Sequence, residues 1–92
     1  MGWKIKLSEA SMKHLEKYGK DLQEKINSAI LNMLNYFDEK ESTKPDLKSL
    51  TGKYKGLLRL RVGDFRIIFS IDYKEPEIFI TDILPRGEAY KK

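Results

Sequence analysis

The 92-residue chain has no cysteine, one histidine, one tryptophan and three prolines. Without cysteine there is no disulfide and no thiolate metal site, so the fold rests on its core alone. That usage fits a reducing compartment. No stretch approaches the ~20 consecutive apolar residues of a membrane helix. The opening MGWKIKLSEA holds no apolar run long enough for a signal peptide. These absences point to a soluble, cytoplasmic protein with no cofactor, no metal and no membrane partner. A chain this short builds one small core, so residues 1–92 are expected to form a single domain of modest stability.

What is present is charge, unevenly placed. Residues 1–46 hold eight Lys and eight Asp/Glu, whereas residues 47–92 hold ten Lys/Arg and six Asp/Glu, so the second half carries the whole net charge of +4. All four arginines, Arg59, Arg61, Arg66 and Arg86, lie there. The guanidinium group is a planar fork that matches phosphate, and its segregation suggests an anionic partner, nucleic acid first.

Hydrophobic periodicity divides the chain. WKIKL (3–7) alternates apolar and basic residues and reads as a short strand. Ser8 suits a helix N-cap, with Leu7 and Met12 at the two positions of a hydrophobic staple. The first helix is expected over about 9–18, with Gly19 as its stop. Leu22, Ile26, Ala29, Ile30, Met33, Leu34 and Phe37 fall at steps of three and four, which makes one apolar stripe on a second helix. Residues 38–49 are polar and read as a loop, and TGKYKG (51–56) as a basic lead-in. Strands follow at about 57–62, 65–72 and 77–84. The resulting order is β-α-α-β-β-β, an α+β domain with both helices on one face of an antiparallel sheet.

The hairpin LLRLRVGDFRIIFSID (57–72) is the informative segment. A two-residue turn at Gly63-Asp64 fixes its register, so that Val62 faces Phe65, Arg61 faces Arg66, Leu60 faces Ile67 and Arg59 faces Ile68. One side is then apolar throughout, with Leu58, Leu60, Val62, Phe65, Ile67, Phe69 and Ile71. The other shows Arg59, Arg61, Arg66, Ile68 and Ser70. Directly opposed like charges cost a few tenths of a kcal/mol, up to ~1. Two readings compete: Asp82 or Glu77 on the last strand neutralises the arginines, or the three form a phosphate-binding face. Lys53, Tyr54 and Lys55 extend the basic rim. Arg86 and Tyr90 share a side if the tail forms a helical turn, and the tyrosines can stack on bases.

LTGKYKGLLRLRVGDFRIIFSID followed by PRGEAY resembles the RelE/ParE superfamily of toxins from bacterial and archaeal toxin–antitoxin modules, most nearly archaeal-type RelE. The similarity spans nearly the whole chain. It implies a microbial-ribonuclease-like fold, a cognate antitoxin in a hetero-oligomer, and cleavage of mRNA on the ribosome that inhibits translation. ParE-like members instead inhibit DNA gyrase, and a degenerate member would bind RNA or antitoxin only. By motif, the resemblance places catalytic roles on Arg59, Arg66, Arg86 and Tyr90, and RNA binding on Lys53, Lys55 and Arg61. Some RelE members carry a lysine where this chain has Leu57, with Lys53 or Lys55 as substitutes.

The expected chemistry is lopsided. Arginine stabilises charge on a phosphate and is a poor base. Tyrosine, with a reference pKa of ~10, is far from the optimum for a base at pH 7. His14, far in sequence from the basic segment, reads as a surface residue. Such a face is expected to cut free RNA poorly and to need the ribosome for positioning.

Overall fold

The core is built where the two apolar patterns meet. The computed structural model describes residues 3–38 and 44–85. Among them the elements are β1 (Lys4–Leu7), α1 (Glu9–Glu16), α2 (Lys20–Phe37), β2 (Leu47–Ser49), a 3₁₀ turn (Gly52–Tyr54), β3 (Leu58–Val62), β4 (Phe65–Asp72) and β5 (Glu77–Pro85). Ile26, Ile30 and Met33 of α2 bury against Leu60, Val62, Ile67, Phe69, Ile78, Ile80 and Ile83 of the sheet. Leu22, Ala29, Leu34 and Phe37 flank this cluster, so the whole predicted stripe is used.

The strands form one five-stranded sheet in the order β1-β5-β4-β3-β2. The β3–β4 pairing has the register expected from the Gly63-Asp64 turn, including Arg61 opposite Arg66 and Arg59 opposite Ile68. Gly63 takes φ 58, the left-handed conformation a tight hairpin turn needs. The sheet is mixed rather than wholly antiparallel, because β1 pairs with β5 in parallel. The helical crossover after β1 carries the chain back over the sheet, which is what a parallel pair requires.

Three further details differ from the sequence reading. The loop expected over 38–49 contains β2, which pairs antiparallel with β3 at the sheet edge. Gly19 does not end α1, which stops at Glu16; it is the N-cap of α2, with φ −65. Ser8 does cap α1, accepting from the Ser11 amide, and Leu7 packs on the core. Met12 nevertheless remains 49% exposed, so no staple buries it.

Helix α1 has a second task. Strand β1 covers β5 only from Glu77 to Ile80, and beyond that the outer edge of β5 would be bare. Side chains of α1 and its cap close it. Ser8 Oγ donates to the Thr81 carbonyl (2.8 Å) and Ser11 Oγ to the Ile80 carbonyl (3.0 Å). His14 Nδ1 lies 3.1 Å from the Ile83 carbonyl, and Tyr18 Oη donates to the same oxygen at 3.4 Å. Positions 8, 11 and 14 share one helix face by their spacing, and Tyr18 follows just beyond the helix end. That face satisfies carbonyls which would otherwise be left as an unpaired edge.

Candidate functional site

The face of the sheet turned away from α2 carries the basic residues. Its residues follow from strand alternation and register. Lys48 of β2 lies opposite Arg59, which lies opposite Ile68, which lies opposite Asp82. One row further, Arg61 lies opposite Arg66, which lies opposite Leu84. Three strands, β2, β3 and β4, therefore bring Lys48, Arg59, Arg61 and Arg66 onto one surface.

The three arginines are not equivalent. Arg59 is only 12% exposed at its side chain, and its Nη2 donates to Asp46 Oδ1 at 3.1 Å. Its Nε is buried with no hydrogen-bond partner. Arg61 is exposed, and Arg66 is half-buried with one long bond, Nη1 to the Phe65 carbonyl at 3.4 Å. Among the described residues no carboxylate pairs with Arg61 or Arg66. The expected neutralising carboxylates are engaged elsewhere. Glu77 pairs with Lys6 at 3.4 Å and Asp82 lies 3.6 Å from His14. The carboxylate that does hold an arginine, Asp46, belongs to the segment read as loop.

Lys53 sits in the 3₁₀ turn and Lys55 directly follows it, both exposed, at the approach to β3. Tyr54 between them is half-buried, as a residue at the edge of the core would be. Arg86 and Tyr90 lie outside the described residues.

A β-bulge decides what the end of β5 offers. From Asp72↔Glu77 to Phe69↔Ile80 the β4–β5 register is continuous, and it shifts by one residue between Phe69 and Ile68. Thr81 is the extra residue, and its Oγ1 donates to the Ile68 carbonyl at 3.2 Å. Without the bulge Asp82 would fall opposite Ile67 and point into the core. With it, Ile83 enters the core and Asp82 turns to the arginine face. Re-aiming a side chain in this way is a recurrent use of bulges near functional sites.

His14 is therefore not the isolated surface residue its sequence position suggests. Its side chain is 34% exposed, hydrogen-bonded to β5 and next to Asp82, at the rim of the basic face. Sequence reasoning missed it because neither the edge-covering role of α1 nor the bulge has a local signal. Among the described residues no group of His, Asp and Glu could hold a metal ion, and no helix is long and apolar enough to cross a membrane.

A two-helix layer on a five-stranded mixed sheet is the architecture of RelE-like toxins. The archaeal RelE–RelB complex from Pyrococcus horikoshii is similar with a TM-score of 0.71 and 27% identity, over 97% of this chain and 100% of that one. RelE in the RelB–RelE complex from Methanococcus jannaschii gives a TM-score of 0.67 at 21% identity, covering 92% and 94%. The YoeB/ParE toxin from Agrobacterium tumefaciens gives 0.71 at 16%, covering 90% and 98%. The last two, at these identities, speak to fold alone. The family model for the ParE toxin of type II toxin–antitoxin systems, parDE, matches residues 5–90, and the chain belongs to that family within the RelE/ParE superfamily. No curated protein sequence matches it.

Proposed function

We propose that the protein is a ribosome-dependent mRNA endonuclease that inhibits translation and is held inactive by a cognate antitoxin. The observation that carries this reading is the Arg61–Arg66 pair, opposed across β3 and β4 on an open face and, among the described residues, left without a carboxylate. A stable sheet gains nothing from that pairing, whereas a phosphate placed between two guanidinium groups satisfies both. In the proposed site Arg66 and Arg86 stabilise charge on the scissile phosphate. Arg61, Lys53 and Lys55 hold the RNA backbone, and Tyr90 stacks on a base or moves a proton. Arg59, fixed by Asp46, contributes positive charge from beneath the surface. The likeness to RelE bound to RelB supports an antitoxin that masks this face in a hetero-oligomer.

The ribosome enters because positioning is the part the face cannot supply. Clamping the mRNA with attacking oxygen, phosphorus and leaving oxygen in line supplies several kcal/mol. Primer extension on one mRNA, free and programmed into ribosomes at matched toxin concentration, tests the reading. Strong cleavage on ribosomes and weak cleavage of free RNA is the expected result. Equal rates on both would remove the ribosome from the mechanism.

A second reading follows from the matched family model, which is that of ParE toxins. In it the protein binds and inhibits DNA gyrase without cutting nucleic acid. Absence of RNA cleavage together with inhibited supercoiling would select it.

A further inference from the structure

An arginine face stabilises a phosphorane but has no group that exchanges a proton near neutral pH. The one histidine of the chain lies at its rim. On the RNA-cleavage reading above, we infer that His14, held by Asp82, is the general base that takes the proton from the attacking 2′-hydroxyl.

The tautomer follows from geometry. His14 Nδ1 is 3.1 Å from the Ile83 carbonyl oxygen and 3.6 Å from Asp82 Oδ1. A carbonyl has no proton to give, so Nδ1 carries the hydrogen. In the neutral ring the lone pair is then on Nε2. Among the described residues Nε2 has no partner, and the side chain is one-third exposed. A carboxylate beside Nδ1 both orients the ring and stabilises the imidazolium that forms.

The location follows from the bulge. Asp82 is opposite Ile68, and Arg66 lies two residues along β4, opposite Leu84. Diagonal neighbours of this kind have Cα atoms about 7–8 Å apart, so Arg66 and the carboxylate that holds the imidazole stand one row apart on the same face. Among the described residues Asp82 is the one ionic partner of His14. Strand β1 supplies none, and Lys13 of α1 and Lys17 at its C-cap are exposed to solvent.

The step balances without a co-reactant. Nε2 takes the 2′-hydroxyl proton as the 2′-oxygen bonds to phosphorus. The bond from phosphorus to the 5′-oxygen breaks, and that oxygen takes a proton from water. The imidazolium returns its proton to the hydroxide so formed. The products are a 2′,3′-cyclic phosphate and a 5′-hydroxyl.

Single-turnover cleavage of ribosome-programmed mRNA by the full chain tests this. His14→Asn keeps an amide donor toward the Ile83 carbonyl and should leave the Tm unchanged. It should lower the rate about 10²–10⁴-fold. A His14→Asn variant that keeps the wild-type rate would overturn the assignment.

If the wild-type protein does not cut programmed mRNA, the cleavage reading itself fails. The His14 site is then judged by NMR titration with a 2′-O-methyl RNA oligonucleotide. Joint shifts of the His14 imidazole and Arg66 guanidinium signals would support it. A silent His14 overturns it, whether or not Arg66 moves.

Discussion

The two faces of the one sheet obey different rules. On the α2 side every alternate residue of β3, β4 and β5 is apolar, and Leu60, Ile67, Phe69, Ile78, Ile80 and Ile83 are at most 2% exposed. On the other side the same strands place Arg61 against Arg66 and leave Phe79 40% exposed. The first face is what burial selects, at about 25 cal/mol for each Å² of apolar surface removed from water. The second places like charges opposite each other and, among the described residues, shows no carboxylate compensating Arg61 and Arg66. A polypeptide that needed only to fold would not differ so sharply between faces of shared strands. The difference separates residues that hold the domain together from residues we propose meet a partner.

The largest effect should come from breaking the sealed face. Phe69→Ala removes a fully buried ring at the centre of the core, and such truncations cost about 3–5 kcal/mol. For a domain of this size that is a large share of total stability, of the order of 5–15 kcal/mol. Chemical denaturation should show the loss, and any activity at low temperature should fall only in proportion to the folded fraction. A small change in stability would mean that the core is not where the apolar faces place it.

On the open face the ranking of stability and activity should invert. Arg66→Gln keeps much of the side-chain stem and removes a charge that faces Arg61 and has no carboxylate partner among the described residues. Its stability should be unchanged or slightly raised. Loss of one preorganised charge from a transition state costs about 3 kcal/mol, or roughly 10²-fold in rate. A marked fall in Tm would show instead that Arg66 serves the fold.

How much of this was legible in the sequence depends on whether the signal is local. The Gly63-Asp64 turn and strict alternation fixed four pairings of the hairpin, and the apolar stripe fixed the buried side of α2. Both are periodic patterns within one element. Strand β2 was not legible, because three residues with Lys48 and Ser49 at an edge carry no alternation to detect. The Asp46–Arg59 ion pair was hidden with it. The bulge at Thr81 was hidden because its cause is tertiary: Ile80 and Ile83 both enter the core, and only an extra residue between them permits that. Gly19 was misplaced because it falls between two helices and suits the end of one or the start of the next. The candidate site was thus readable where arginines alternate along strands, and unreadable at the His14–Asp82 rim, where α1 meets β5 across 68 positions of sequence.

The edge of β5 offers an intermediate test, since it joins the two faces. Ser8→Ala removes both the cap on the Ser11 amide and the bond to the Thr81 carbonyl. Loss of an N-cap costs about 0.5–2 kcal/mol. The bulge carbonyl at Thr81 would also lose its partner, so amide exchange should quicken in α1 and around Thr81 before elsewhere. Uniform quickening across all strands would argue that α1 is no separate cover for that edge.

The smallest effect sharpens the contrast most, because its sign is the evidence. Arg61→Thr replaces one of two directly opposed cations with a residue that favours strands. If the pair is a cost tolerated for function, the variant should be more stable, by a few tenths of a kcal/mol and at most ~1. The gain should shrink as salt rises, because screening already removes much of the repulsion between exposed charges in the parent. Denaturant midpoints at low and high ionic strength measure both quantities. RNA or ribosome binding by the same variant should weaken, and the dependence of binding on salt should flatten by about one phosphate contact. A variant that is less stable at every salt concentration would show that Arg61 is held by interactions within the domain. The open face would then be a charged surface like any other, and the division between the two sides of the sheet would lose its functional meaning.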